Sequence, residues 1–578
     1  MPYSTLQDFI EALDRAGELH RVSAKVSSML EISAIADRVS KSPAAQVSET
    51  AKTFDPHHAD LGGKALLFEH VETPEGKAAM PLLINAFGSY RRVEMALGCE
   101  AGGLEALAAR VAALVKPEPP TGLMEKMKKG LELAKIASFT PKYVKRGRCQ
   151  EIVKTGNEVN LFDLPVIKCW PHDGDPQAVG YNLTPEQAGT AKGLGRYITF
   201  GGVYTVHPDD AGKPEGTPRP SRNVGMYRAQ LLDETHTAMH WHMHHDGARH
   251  WRAWKEAKKQ GGLGEGYYEI FSKAPAGMRG MPCAIVLGGE SVLPYSATAP
   301  LPPGISELLF AGFLNGGGIE LVKCKTIDMH VPANAEIVIE GYVSTEADVI
   351  GYDPRHPHAP SLKPHAEAFE GPFGDHTGFY SLPDRYPIFT VTAITHARDP
   401  IYPTTIVGQP PQEDYYLGKA TERIFLPLLK TIVHDIIDYD LPMFGAFHNC
   451  AFIKIKKEYP LQARRVMHAI WGAGQMAWTK MIVVVDHNVN VHDHEEVLFH
   501  LCANCDPGRD VEIVNGPLDI LDHAAPRLGA GHKIGFDATA KIPGEEVGGH
   551  PVRDYPEILS MTDAINTLVN KRWKEYGL

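Results

Sequence analysis

The sequence has no apolar run close to the roughly eighteen residues that a membrane-spanning helix needs, so no membrane span is expected. No positively charged opening leads into an apolar stretch, which argues against a secretory leader and for a cytoplasmic protein. Cysteine is sparse and scattered, eight in 578 residues, and a chain this long does not depend on a disulfide framework. One C-x-x-C occurs, Cys502-Ala-Asn-Cys505, without the second pair that a structural zinc site usually takes. His492, His494 and His500 lie just upstream and leave zinc open, but the plainer expectation is a helix carrying two buried thiols. Basic charge is also short. The formal net charge is -12, which argues against a general binder of nucleic acid or anionic membrane. No Walker loop, no G-x-G-x-x-G opening a βαβ unit and no G-x-S-x-G elbow stands out, so ATP, NAD and serine-hydrolase readings lose weight.

What is present is ordinary globular composition, 43% hydrophobic and 22% charged, in a chain too long for a single core. Thr5 followed by Asp8, with Leu6, Phe9, Ile10 and Leu13 at helical spacing, predicts a capped helix. Short apolar runs at 65–68 and 82–85 predict strands, and 104–115 predicts a helix that stops at the Pro-rich 117–122. The Lys-rich stretch 123–147 reads as a solvated helical linker. From 151 the pattern turns to short strands separated by Gly- and Pro-rich loops, which predicts a split β-barrel. Later helices and strands alternate, and Ile558, Met561, Ile565, Leu568 and Trp573 mark a terminal amphipathic helix. The expected fold is α/β (α+β): an N-terminal α/β region over 1–122, a helical linker or insertion over 123–150, a split-barrel domain over 151–335 and a C-terminal α/β domain over 336–578.

Three constellations can carry chemistry. Asn223, Gly225, Arg228 and His244 put an amide, an unhindered backbone, a permanent cation and an imidazole in one short unit, suited to a phosphorylated cofactor and an acidic substrate. Asn223 and Arg228 fall on opposite faces of a regular strand, so a bend near Gly225 is needed. His240, His242 and His244 alternate, and a strand presents such residues in line for a metal. Glu370 and Asp375 flank Gly-Pro-Phe-Gly. That pairing suits proton transfer, although spacing alone favours a solvated turn. Glu307 follows a stiff Pro segment. With Asn223 and His244 it makes a mixed N/O set better suited to manganese or magnesium than to closed zinc.

Asn223-Val-Gly-Met-Tyr-Arg228, Trp241 to His244, Pro302-Pro-Gly-Ile-Ser-Glu307, Val322-Lys-Cys324, Glu336 to Gly341 and Glu370-Gly-Pro-Phe-Gly-Asp-His-Thr-Gly378 together resemble the UbiD family of prenylated-FMN-dependent decarboxylases. The resemblance spans nearly the whole chain, with the stretches near 43–60, 123–147 and 353–364 as additions to a shorter core. It implies a reversible carboxy-lyase acting on an aromatic, heteroaromatic or α,β-unsaturated acid. In that reading Asn223, His244 and Glu307 hold Mn2+ (or Mg2+) on the cofactor phosphate, with K+ nearby. Gly225, Met226, Tyr227, Arg228 and Lys480 contact the cofactor, and Arg228, Glu370 and Asp375 form the catalytic network.

The same resemblance implies a substrate pocket with His376, Leu417 and His523. Two imidazoles there favour a polar ring substituent, hence a hydroxyaryl acid. It also implies a flavin prenyltransferase as cofactor supplier and a homo-oligomer, dimer or hexamer. Decarboxylation needs an electron sink that side chains lack, which is the physical reason for a flavin. Two rival readings are a metal-dependent hydrolase built on His240–His245 and a non-catalytic flavin-binding subunit of a carboxylase complex.

Overall fold

The computed structural model describes residues 2–115, 136–214, 217, 219–243, 245–260, 280–301, 305–348, 362–363, 365–447, 449–543, 545–547, 549–552, 556 and 558–577. His244 and most of the stretches 123–147 and 353–364 therefore lie outside the described residues.

The first helix, Leu6–Arg15, starts where the sequence predicts. The Thr5 side chain accepts from the Asp8 amide, and Leu6, Phe9, Ile10 and Leu13 are buried on one face. That face packs over an N-terminal sheet ordered Leu19–Ser27, Ala65–Thr73, Leu82–Ile84 and Tyr402–Pro403. The last strand arrives from far along the chain and ties the N-terminal layer to the middle of the protein.

The middle is a ten-stranded, largely antiparallel sheet. Its path runs Tyr197–Ile198, Ala229–Leu231, His236–Met239, Asp384–His396, Ile337–Ser344, Gly280–Leu287, Gly202–Thr205, Asn223–Met226. Gly280–Leu287 is buried at every position and Ile337–Ser344 at all but the last, as two-sided packing requires. The expected boundary at 335 runs between these two paired strands, inside one sheet. The described part of the expected linker holds a strand, Lys142–Val144, parallel to Glu320–Lys323.

The C-terminal layer is a five-stranded mixed sheet, Ile436–Asp440, Cys450–Ile455, Met481–Asp486, Ala530–Asp537 and Val511–Pro517. The Glu413–Ile432 helix joins it to the middle. Lys419 on that helix donates to Glu422 at 2.9 Å and to Asp440, with all three side chains buried. Glu422, Asp440 and His492 are the one group among the described residues close enough to share a metal ion. Lys419, Arg423 and the Asp438 carboxylate already satisfy them.

The expected pair of buried thiols is corrected: Cys502 is exposed, on a helix, His494–Asn504, that buries only Val497, and Cys505, just past its end, is half-buried. His492 and His494 turn to Asp440 instead. The terminal helix, Asp563–Arg572, has no buried residue in the single chain. No helix among the described residues is long and apolar enough to cross a membrane.

Candidate active site

Asn223–Met226 closes one end of the ten-stranded path, and Ala229–Leu231 lies next to the other end. Only Tyr227 and Arg228 connect them. Three Cα steps span at most about 11 Å, so the sheet must curl until its two ends nearly meet. Arg228 stands on that seam, where its carbonyl accepts the His240 amide at 3.3 Å. The bend expected at Gly225 falls here instead. Gly225 is required for another reason: a Cβ there would lie 2.4 Å from the Tyr227 ring.

The seam faces the loop that follows Glu367–Glu370. This loop is built, not a solvated turn. The Gly371 amide donates to Gln230 Oε1 at 2.9 Å and the Gly374 amide to Asp173 Oδ1 at 2.8 Å. Trp170 packs against it. A Cβ on Gly374 would come within 2.2 Å of the five-membered ring of the indole, and one on Gly408 within 2.6 Å of its six-membered ring. The indole Nε1 donates to the Val407 carbonyl at 2.8 Å.

Seam and loop meet in one charge cluster. Arg228 Nε donates to Glu370 Oε1 at 2.7 Å, and Nη2 donates to Glu370 Oε2 at 3.1 Å and to Ser381 Oγ at 3.3 Å. Arg228 Nη1 donates to Asp375 Oδ2, and the guanidinium lies 4.4 Å above the Phe373 ring. His240 Nδ1 is 2.8 Å from Glu370 Oε2, and His376 Nδ1 is 3.0 Å from Asp375 Oδ1. The guanidinium has five N–H groups, of which these contacts use four. Among the described residues no partner takes the second Nη1 hydrogen, which is left for a ligand.

Burial pushes both carboxyls up, but here the cation wins. The Arg228 charge, with bonds from Arg228 and His240, holds Glu370 down at about 2. Asp375 is held below the usual carboxylate range by Arg228 and His376. The two acids in turn push the Arg228 guanidinium further up. Burial and the Arg228 charge lower His240, against the pull of Glu370.

A cavity of about 300 Å3 opens beside this cluster, within the range of small-molecule sites. Met226, Tyr227, Arg228, Asp375, His376 and Leu417 line it. Sequence reasoning missed Asp414, at the start of the Glu413–Ile432 helix, and Asp519 and Leu521, which reach in from the C-terminal layer. No local pattern marks these three, because they arrive by tertiary packing. His240 was visible only as a metal-ligand candidate, and the structure turns it to Glu370 instead.

Two expected residues stand apart from the cavity walls. His523 is exposed, with its ring 3.8 Å from Phe379. Lys480 pairs with Asp522 at 2.8 Å. Asn223 and Glu307 do meet: the carboxylate accepts the amide next to Asn223, that of Val224, at 3.0 Å. Burial pushes Glu307 up to about 7, and the buried Asn223 side-chain nitrogen has no hydrogen-bond partner among the described residues. A buried carboxyl next to the Asn223 strand fits a divalent cation, which the Asn223 side-chain oxygen, not its nitrogen, would ligate.

Three family models cover the chain: the 3-octaprenyl-4-hydroxybenzoate carboxy-lyase N-terminal domain over residues 10–111, the Rift-related domain over 142–410 and the C-terminal domain over 415–538. The chain belongs to the UbiD family of carboxy-lyases. An uncharacterised protein of Aquifex aeolicus (strain VF5) is 43% identical over 100% of this chain and 99% of its own length. One from Archaeoglobus fulgidus is 39% identical over the same shares. In structure, UbiD-family resemblance extends to the vanillic acid decarboxylase of Sedimentibacter hydroxybenzoicus in closed form, at a TM-score of 0.72 and 23% identity over 100% of this chain and 99% of that one. HmfF from Pelotomaculum thermopropionicum in complex with FMN gives 0.64 and 24% over 97% and 98%. An evolved dimeric form of that enzyme in complex with prFMN gives 0.62 and 23% over 94% and 97%. The mixed α/β fold with a curled central sheet is that of UbiD-class decarboxylases.

Proposed function

We propose that this carboxy-lyase removes, and in reverse adds, the carboxyl group of an aromatic, heteroaromatic or α,β-unsaturated acid, using prenylated FMN. A hydroxyaryl acid suits the polar wall of His376 and Asp414. The observation that carries the reading is the Arg228 guanidinium, fixed between Glu370 and Asp375 on the wall of a cavity that can admit an acid.

The modified flavin, when bound, supplies the electron sink for the carbon that loses CO2. Met226, Tyr227 and Arg228 border the cavity where it would lie, and Asn223 and Glu307 would hold the divalent cation on its phosphate. His244, outside the described residues, is the proposed third ligand, and a potassium ion the proposed companion.

Arg228 has one Nη1 hydrogen for the substrate carboxylate, and its other bonds keep it from swinging away. Glu370, itself held by His240, fixes the guanidinium plane. Asp375 returns a proton to the carbon. Leu417 and Met226 give apolar walls, which favour release of neutral CO2 over retention of a charged group. Lys480 and His523, away from the cavity walls, would need a movement of the C-terminal layer to contribute.

The hydrolase alternative loses support from the placement of His240, spent on Glu370, and of His242 and His245, stacked at 4.7 Å. Among the described residues the segment assembles no metal group.

The test is co-expression with a flavin prenyltransferase, followed by absorbance and mass spectra of the purified protein and a screen of aryl acids for CO2 release. Release that needs the modified flavin is expected. Flavin binding without release from any acid would favour the carrier-subunit reading, and activity restored by zinc alone the hydrolase.

A further inference from the structure

Asp375 has to give a proton to carbon, yet Arg228 on its Oδ2 keeps it ionised at neutral pH. A proton must therefore reach it in every turnover. Among the described residues two side chains bring N–H groups to its oxygens. Arg228 does not give up a proton in this pH range. The other is His376, whose Nδ1 lies 3.0 Å from Oδ1 while its backbone amide donates to the same oxygen at 2.8 Å. Ring and amide together aim that oxygen at the imidazole.

The surroundings favour a charged ring. Burial opposes it, but Asp375 from its own loop, Asp519 from the C-terminal layer and Asp414 from the helix start all face His376 and push it up to about 9. Burial pushes Asp414 up to about 7, against the pull of His376, so its carboxyl exchanges protons in the neutral range. Charge balance agrees. One arginine against two carboxylates leaves the cluster negative, which would repel an incoming carboxylate. An imidazolium at His376 offsets one of those negative charges.

Resting on the reading of the site as a decarboxylase, we propose that His376 is the proton carrier of the active site, loading Asp375 from the side opposite Arg228. The His376 Nδ1–H bond breaks as an O–H bond forms on Asp375 Oδ1, leaving neutral imidazole. That O–H bond then breaks as a C–H bond forms with the electron pair left by departing CO2, and Asp375 returns to carboxylate. Water at the cavity mouth reprotonates His376, with Asp414 as the group that exchanges with it. The proton used is the one that converting a carboxylate to a hydrocarbon and CO2 requires. His376 acts through Asp375 and not on the substrate itself.

The experiment uses the flavin-loaded enzyme and its His376→Asn, Asp375→Asn and double variants. Cofactor spectra should be unchanged in all. His376→Asn should lower kcat by about 10²-fold or more with little change in KM, in the range of general acid catalysis. Wild-type kcat should fall at high pH around 9, and that limb should be missing in this variant. The double variant should be no slower than Asp375→Asn, since the two act in series. An unchanged kcat in His376→Asn, a retained high-pH limb or multiplicative losses in the double variant would overturn the relay while leaving the decarboxylase reading intact. A separate arm needs no turnover: selectively 15N-histidine-labelled protein, with His376→Asn to assign the signal. Imidazolium at pH 7.5 is expected, and a neutral ring there overturns the proposal. Wild-type enzyme that releases CO2 from no acid overturns the decarboxylase reading, and the relay falls with it.

Discussion

Arg228 Nε stands 2.7 Å from Glu370 Oε1, although the two residues are 142 positions apart in the chain. The curled sheet brings them together: Arg228 sits on the seam where the sheet's ends meet, and Glu370 at the end of a strand paired to Asp384–His396.

Replacing Arg228 by Ala leaves two buried carboxylates without their cation. Breaking a buried pair this way costs about 3–5 kcal/mol unless the acids protonate. Turnover should fall below detection, while circular dichroism retains the folded spectrum with a lowered melting temperature. Turnover within about tenfold of wild type would remove Arg228 from the proposed chemistry.

The cluster also sets an acid limit. Glu370 and Asp375 have folded values below their unfolded ones of about 4.3 and 3.9, so they stabilise the fold above about pH 5. That contribution disappears as pH falls toward 2. His376 has the opposite sign: its contribution is complete below about pH 6.5 and is lost as pH rises through about 9. Melting temperatures from pH 3 to 10 for wild type and Arg228→Ala should diverge most at neutral pH and converge in acid. Parallel curves would contradict the assignment.

Gly374→Ala should displace the acid loop. The new methyl would meet Trp170 at 2.2 Å, and the indole cannot turn away without giving up its bond to Val407. A destabilisation of about 1–3 kcal/mol is expected, as for overpacked cores. Turnover should drop by at least about tenfold, because proton transfer depends on sub-ångström placement. A wild-type melting curve together with wild-type turnover would show the loop to be free of Trp170.

Glu307→Gln keeps the shape of the proposed cation site and removes its charge. Manganese titrated into the purified protein and followed by electron paramagnetic resonance should bind at least about tenfold more weakly, the size of even outer-shell changes. Manganese uptake by the wild type should release protons at pH 7, because the free carboxyl sits near that value. Equal affinity in variant and wild type would place the cation elsewhere.

Much was legible in the sequence because it is local. The Thr5 cap, the spacing of Leu6, Phe9, Ile10 and Leu13, and the glycines around Pro372 and Phe373 encode nearby backbone geometry, so helix and tight loop could be read directly. The ordered motifs around Asn223, Glu307 and Glu370 identified the family. The tertiary structure decided what depends on distant groups. Spacing alone made Glu370 and Asp375 a solvated turn. The fold instead buries them against Arg228, and in that low-dielectric setting the cation outweighs desolvation and leaves both ionised. It also turned His240 from a metal candidate into a partner of Glu370, and brought Asp414 and Asp519 to face His376. Chain order holds residue types and local geometry. Charge state depends on burial and on neighbours hundreds of residues away, and only folding supplies those.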